Sequence, residues 1–278
     1  MKKVILATTL VALFGLAQAQ VSVNGTVRYD LTKVEGAAAT SGIAKSEVVF
    51  KATEDLGNGM TVTAQMGLDG AGRGETVAGT DALITVGTRL GSVTVGQVEA
   101  ANGIIGRAYA GAPVIGADGS VLAAKGNIDS IKYTTPAIGG FTASIGGSRA
   151  VDATTARSYT LGVAGAVGPL DTGVDYNETT KRVRASASMK VAGLTVGAGW
   201  SGRETGVADS RAFGVSVPMG ALTVGATRSS GNGTASEVAA SYALSKRTSV
   251  AVAYKTVTGN TTAATNVATS RVRLQHAF

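Results

Sequence analysis

Val183-Arg184-Ala185-Ser186-Ala187-Ser188-Met189-Lys190-Val191, then Ala192-Gly193, then Leu194-Thr195-Val196-Gly197-Ala198-Gly199-Trp200-Ser201, is the stretch that decides the fold. Val183, Ala185, Ala187, Met189 and Val191 alternate with Arg184, Ser186, Ser188 and Lys190. A period of two is the mark of a strand, because successive side chains point to opposite faces of a sheet. Ala192-Gly193 has room only for a tight turn, so the second run must return antiparallel to the first.

The same reading extends in both directions. Val21, Val23, Gly25, Val27 and Tyr29 alternate with Ser22, Asn24, Thr26, Arg28 and Asp30, and Met60, Val62, Ala64, Met66 and Leu68 with Thr61, Thr63, Gln65 and Gly67. Carried along the chain, the pattern predicts sixteen strands near 21–31, 46–53, 60–68, 82–90, 92–98, 128–135, 141–148, 158–167, 170–177, 182–191, 194–201, 212–218, 222–228, 236–244, 248–256 and 269–278. Seven tight turns alternate with eight longer polar loops, near 32–45, 69–81, 99–127, 149–157, 178–181, 202–211, 229–235 and 257–268. One phrase recurs in three hairpins: Val93-Thr94-Val95-Gly96, Leu194-Thr195-Val196-Gly197 and Leu222-Thr223-Val224-Gly225. Nothing marks a domain boundary within residues 20–278.

Composition narrows the class. Of 278 residues only 15% are charged, against about 25% in ordinary globular proteins. Glycine, at 39 residues, is about twice its usual share of ~7%. With no cysteine and one histidine (His276), disulfide scaffolds, Cys/His metal sites and Ser-His or Cys-His chemistry needing a second imidazole are excluded. No nucleophile has a base beside it, so neither catalytic residues nor a cofactor is expected. A hydrophobic share of 44% argues against disorder. Gly197-Ala198-Gly199-Trp200-Ser201-Gly202 matches G-x-G-x-x-G, but no helix follows to receive a pyrophosphate, so the match is formal.

Met1-Lys2-Lys3, the apolar run Val4 to Leu16 and Ala17-Gln18-Ala19 read as a signal peptide, 1–19, leaving 20–278 as the mature chain. Beyond it no run reaches the ~20 apolar residues of a spanning helix. Without Lys2 and Lys3 the chain carries 23 bases and 18 acids, a diffuse charge near +5 that does not suggest nucleic acid.

The faces decide the solvent. Twelve aromatics fall within 20–278, and eleven lie in strands: Tyr29, Phe50, Tyr133, Phe141, Tyr159, Tyr176, Trp200, Phe213, Tyr242, Tyr254 and Phe278. All eleven share the phase of Val, Leu and Ile, and strand charges take the other phase apart from a few at strand ends such as Arg228. A closed antiparallel barrel, apolar outside and polar inside, fits this arrangement, since in lipid every backbone group must be paired and no sheet edge is tolerated. A soluble sandwich also alternates, but its apolar faces must meet in a common core.

Three segments then resemble one family. Phe50-Lys51-Ala52-Thr53-Glu54-Asp55-Leu56-Gly57-Asn58-Gly59 is similar to the second strand and first turn of Gram-negative general porins. Ile131-Lys132-Tyr133-Thr134-Thr135-Pro136 with Gly139-Gly140-Phe141 resembles their sixth and seventh strands, and Arg271-Val272-Arg273-Leu274-Gln275-His276-Ala277-Phe278 their last. The resemblance implies an all-β, 16-stranded antiparallel transmembrane β-barrel with short periplasmic turns in the cell outer membrane. It also implies a usual homotrimer in outer-membrane lipid, passing small hydrophilic solutes by diffusion past a third loop folded into the lumen. The third loop is here the longest, with Arg107, Asp118 and Lys125 as constriction candidates. Only one of these is an acid, a departure from the acid-against-base constriction of the family. Two further departures are Arg28, where the family commonly has an acid, and Glu47, where it commonly has arginine. They suggest a charge-swapped pair across adjacent strands.

The lumen phase holds ten bases: Arg28, Lys51, Arg89, Lys132, Arg182, Arg184, Lys190, Lys255, Arg271 and Arg273. It holds six acids: Asp30, Glu47, Asp69, Asp171, Asp175 and Glu237. Fixed charge lining a pore selects ions, so a surplus of four bases predicts moderate anion preference. A structural or adhesive surface barrel with a closed lumen is the alternative.

Overall fold

The computed structural model describes residues 19–70, 77–99, 106–115, 127–149, 158–202, 204, 206–231, 233–259 and 267–278. The expected signal peptide, Asp118 and Lys125 lie outside these residues. Sixteen strands follow one another along the chain. The first eight are β1 (Gln20–Val34), β2 (Thr40–Gly57), β3 (Met60–Asp69), β4 (Ala78–Thr88), β5 (Gly91–Glu99), β6 (Asn127–Thr134), β7 (Phe141–Arg149) and β8 (Ser158–Val167). The second eight are β9 (Leu170–Asn177), β10 (Val183–Val191), β11 (Leu194–Gly202), β12 (Ser210–Met219), β13 (Leu222–Ser230), β14 (Thr234–Ala243), β15 (Thr248–Thr258) and β16 (Val267–Ala277).

Each strand pairs antiparallel with its neighbours in sequence, and β1 pairs with β16, so the sheet closes and has no edge. The closing register runs from Thr26 opposite Ala277 to Val34 opposite Thr269. The last residue extends it, because Gly25 and Phe278 exchange both backbone hydrogen bonds at 3.0 Å. A Cβ on Gly25 would enter the Phe278 ring, so the missing side chain makes the seat for the terminal aromatic.

Strand order and alternation agree with the sequence reading, and β8 and β9 have the predicted bounds. The loops differ. The segment read as a loop over 32–45 is a five-residue connection, 35–39, because β1 and β2 continue beyond the clear alternation. β2 contains a bulge there: Arg28 faces Lys45, while Tyr29 faces Ile43, leaving Ala44 as the extra residue. The bulge resets the phase, so Ile43 joins Tyr29 on one side and Lys45 joins Arg28 on the other.

The large apolar residues are outside. Val21 is 65% exposed and Phe213 is 55%, with Ile131, Ile145, Leu161, Val238, Tyr242 and Tyr254 in the same condition. In water, leaving such side chains uncovered forfeits roughly 1.5–3 kcal/mol each. Among the described residues the buried apolar side chains are instead alanines and one tyrosine inside the barrel. This inversion excludes a sandwich core and places the outer surface in lipid. No described helix is long and apolar enough to cross a membrane, so the strands do the crossing.

Candidate functional site

Residues 106–115, the described part of the connection between β5 and β6, lie in the interior. Residues 106–108 form one helical turn, followed by a turn through Gly111. This segment lies against the inner faces of β11, β12 and β13. Ala108 and Ala212 are fully buried, and with Tyr109 they form the one cluster of buried apolar residues among those described, with Val114 packed against it. Tyr109 is the twelfth aromatic of residues 20–278 and the one on the inside.

Glycines make the berth. A Cβ on Gly197 would collide with the carbonyl oxygens of Arg107 and Ala108, and one on Gly214 with the backbone of Tyr109. One on Gly225 would come within 2.7 Å of Ala112 and 2.8 Å of Pro113. Polar contacts then fix the loop. Arg107 Nε donates to Asp171 Oδ1 at 2.8 Å on β9, and Ser216 Oγ donates to the Ala110 carbonyl at 2.6 Å on β12. Farther along, the Ile115 N–H donates to Glu237 Oε1 at 2.6 Å on β14. The Ile115 carbonyl accepts from Arg271 Nη1 and, at 3.4 Å, from Arg273 Nη2 on β16. The loop is therefore clamped near both ends of its described part, and Glu237 is only 2% exposed beneath it.

The seam between β1 and β16 carries the densest charge. Its rungs put Arg28 opposite Gln275, Asp30 opposite Arg273 and Thr32 opposite Arg271. Arg28 Nε donates to Gln275 Oε1 at 2.7 Å, and Arg271 Nε donates to Thr32 Oγ1 at 3.2 Å. Arg273 binds Asp30 through two hydrogen bonds, and Arg271 reaches the same carboxylate at 3.7 Å. One acid thus stands among three guanidiniums.

The other predicted positions are distributed around the wall. Arg184 pairs with Asp175 at 2.8 Å, both largely buried. Lys51 lies on β2 beside Gln65, and Lys132 on β6 beside Thr94. Arg182, just before β10, pairs with Glu204 at the long-loop end. Arg89 sits in the tight turn after β4, its side chain over Gly59, so it belongs to the rim. In the connection after β9, Lys181 donates to Glu178 at 2.7 Å, which holds its ammonium above the ordinary lysine range. The suggested Arg28–Glu47 pair is not formed. Glu47 binds Lys45 at 2.8 Å and stands opposite Thr26, while Arg28 bonds to Gln275.

Sequence reasoning missed Lys45, hidden by the bulge, and Gln275. It also missed the docking of the loop, for which a signal existed: glycine in the inward phase on three successive strands, at Gly197, Gly214 and Gly225.

A closed sixteen-stranded barrel with residues 106–115 of its third loop inside a polar lumen is the arrangement, and the family described as Gram-negative porin matches residues 6–262. The chain belongs to this family. The porin is similar in structure to a five-substitution variant of Rhodopseudomonas blastica porin, with a TM-score of 0.76 at 18% identity, over 93% of this chain and 100% of that one. It is also similar to a loop-deleted form of OmpT, an outer membrane protein of Vibrio cholerae, with a TM-score of 0.77 at 12% identity, over 94% and 99%. At these identities the likeness concerns the fold. No curated protein matches the sequence. Family and barrel together make the protein a channel of the outer membrane, with lipid around its outer face.

Proposed function

We propose that this porin passes small hydrophilic solutes by passive diffusion, with a moderate preference for anions, through a lumen narrowed by the loop at 106–115. One observation supports the preference. The six acids of the wall are engaged: Asp30 with Arg273 and Arg271, Glu47 with Lys45, Asp171 with Arg107, Asp175 with Arg184, Glu237 with the Ile115 N–H, and Asp69 with the N–H groups of Ser46 and Gly70. Arg28, Lys51, Lys132 and Lys190 form no ion pair among the described residues, so the charge left over is positive. Fixed charge of one sign in a pore favours counter-ions of the other. A homotrimer is part of the proposal, on the strength of the family.

Single-channel conductance in a planar bilayer, with the zero-current potential under a salt gradient, tests this reading. Discrete open steps with a potential of anionic sign are expected. Steps of cationic sign would overturn the preference, and a folded but silent barrel would overturn the channel. Cross-linking of the detergent-extracted protein checks the trimer.

A further inference from the structure

The inner positions of β12 and β13 are fixed by the docked loop. Ala212, Gly214 and Ser216 face it on β12, and Gly225, Thr227 and Ser229 lie on the same inner side of β13. Alternation therefore sends Arg211 and Arg228 outward, where both are exposed. Arg228 is directly opposite Phe213, and Arg211 is opposite Ser230, so the two arginines are diagonal neighbours on adjacent strands. On their other sides stand Trp200, opposite Arg211, and Ser236, opposite Arg228.

Neither guanidinium has an ion pair or hydrogen bond among the described residues. The nearby acid, Asp209, accepts from Trp200 Nε1 at 3.2 Å. Depth makes the lack of a partner informative. From Met219 to Phe213 the outward residues of β12 are apolar, and six steps along a strand tilted by ~40° cover roughly 15 Å of membrane. That is less than the ~25 Å apolar band of such barrels, so both charges fall within its upper part, at the long-loop end. An arginine there needs a counter-charge, and the connection after β13, residues 231–233, is too short to bring one.

We propose that Arg211 and Arg228, with the hydroxyls of Ser230 and Ser236 beside them, form a binding site for the phosphate of a lipid headgroup in the outer leaflet. Two guanidiniums offer the planar, paired donors that phosphate oxygens accept. Trp200, opposite Arg211, and Phe213, opposite Arg228, flank the site with the aromatic surface that suits the sugar and acyl boundary at membrane interfaces.

The test uses the full folded chain in detergent with bis-phosphorylated lipid A as probe, read by native mass spectrometry. The wild-type barrel should hold the probe at least about tenfold more tightly than the double variant Arg211→Gln/Arg228→Gln. Lipid A stripped of its phosphates should bind both equally weakly. Equal retention of the phosphorylated probe by the double variant overturns the site, as does wild-type binding of the stripped lipid as tight as that of the phosphorylated one. A change in oligomeric state in the variant would assign the patch to a second copy instead. Single-channel conductance of the same preparations, expected unchanged, shows that the variant is folded and keeps the channel reading separate from the lipid one.

Discussion

Asp30 and Arg273 face each other across the seam that closes the barrel, joined by parallel hydrogen bonds of 2.8 Å and 2.7 Å. The pair ties the first strand to the last inside the lumen, while the carbonyl of Ile115 brings the loop to the same arginine. Closure and constriction thus meet at one side chain.

The carboxylate at 30 also separates three positive charges. Asp30→Asn leaves Arg28, Arg271 and Arg273 without it, and losing charge-assisted bonds at a nearly buried position should cost about 1–3 kcal/mol. Heat- and urea-induced unfolding of the detergent-solubilised barrel should show that loss. Asp30→Asn combined with Arg273→Gln should recover part of it, because the uncompensated cation goes too. Simple additivity of the two substitutions would refute the coupling.

The loop berth gives a second expectation. Ala108 and Ala212 are packed together, and the chain contains no cysteine. Ala108→Cys with Ala212→Cys should therefore cross-link under mild oxidation, with single-channel conductance unchanged, since the bond would fix a loop already in place. A barrel that fails to cross-link, or whose conductance changes on oxidation, would show that the loop rests elsewhere.

Gly25 is the seat of the final residue. Gly25→Val places a branched side chain where the Phe278 ring lies, and overpacking of this kind costs typically about 1–3 kcal/mol. The expected outcome is a lower unfolding temperature and slower folding into detergent or lipid. Phe278→Ala in the Gly25→Val background should restore part of the loss. No recovery would mean that the ring does not depend on that site.

Much of the fold could be read from alternation because each strand has one lipid face and one wet face, which forces period two. The reading failed where that force lapses. Thr40-Ser41-Gly42 has no apolar residue to mark a phase, and the bulge at Ala44 inverts it, so the upper part of β2 looked like loop and Lys45 was overlooked. The candidate site was legible residue by residue but not in its pairings. Arg28 and Glu47 are inward on adjacent strands, yet register alone decides whom each meets, and register is set by hydrogen bonding and the bulge. The inward glycines on β11, β12 and β13 would have disclosed the loop, had their shared phase been set against the length of the loop.

Those pairings yield a selectivity test. Removing an engaged pair, as in Arg184→Gln/Asp175→Asn, leaves the net lumen charge unchanged and should hardly move the zero-current potential. Arg28→Gln removes a cation whose hydrogen bond goes to a neutral amide, and should move the potential toward the cationic side. Exchange variants separate the observed pair from the one first suggested. Lys45→Glu with Glu47→Lys keeps a neutral pair and should restore both the permeability ratio and the unfolding temperature that either reversal alone alters. Arg28→Glu with Glu47→Lys also keeps the net lumen charge, so it too should restore the ratio, but it sets a new lysine beside Lys45 and a carboxylate beside Gln275 and should keep the lowered unfolding temperature of the single reversals. Recovery of the unfolding temperature by the second exchange rather than the first would place Glu47 with Arg28 in the membrane and overturn the register-based pairing.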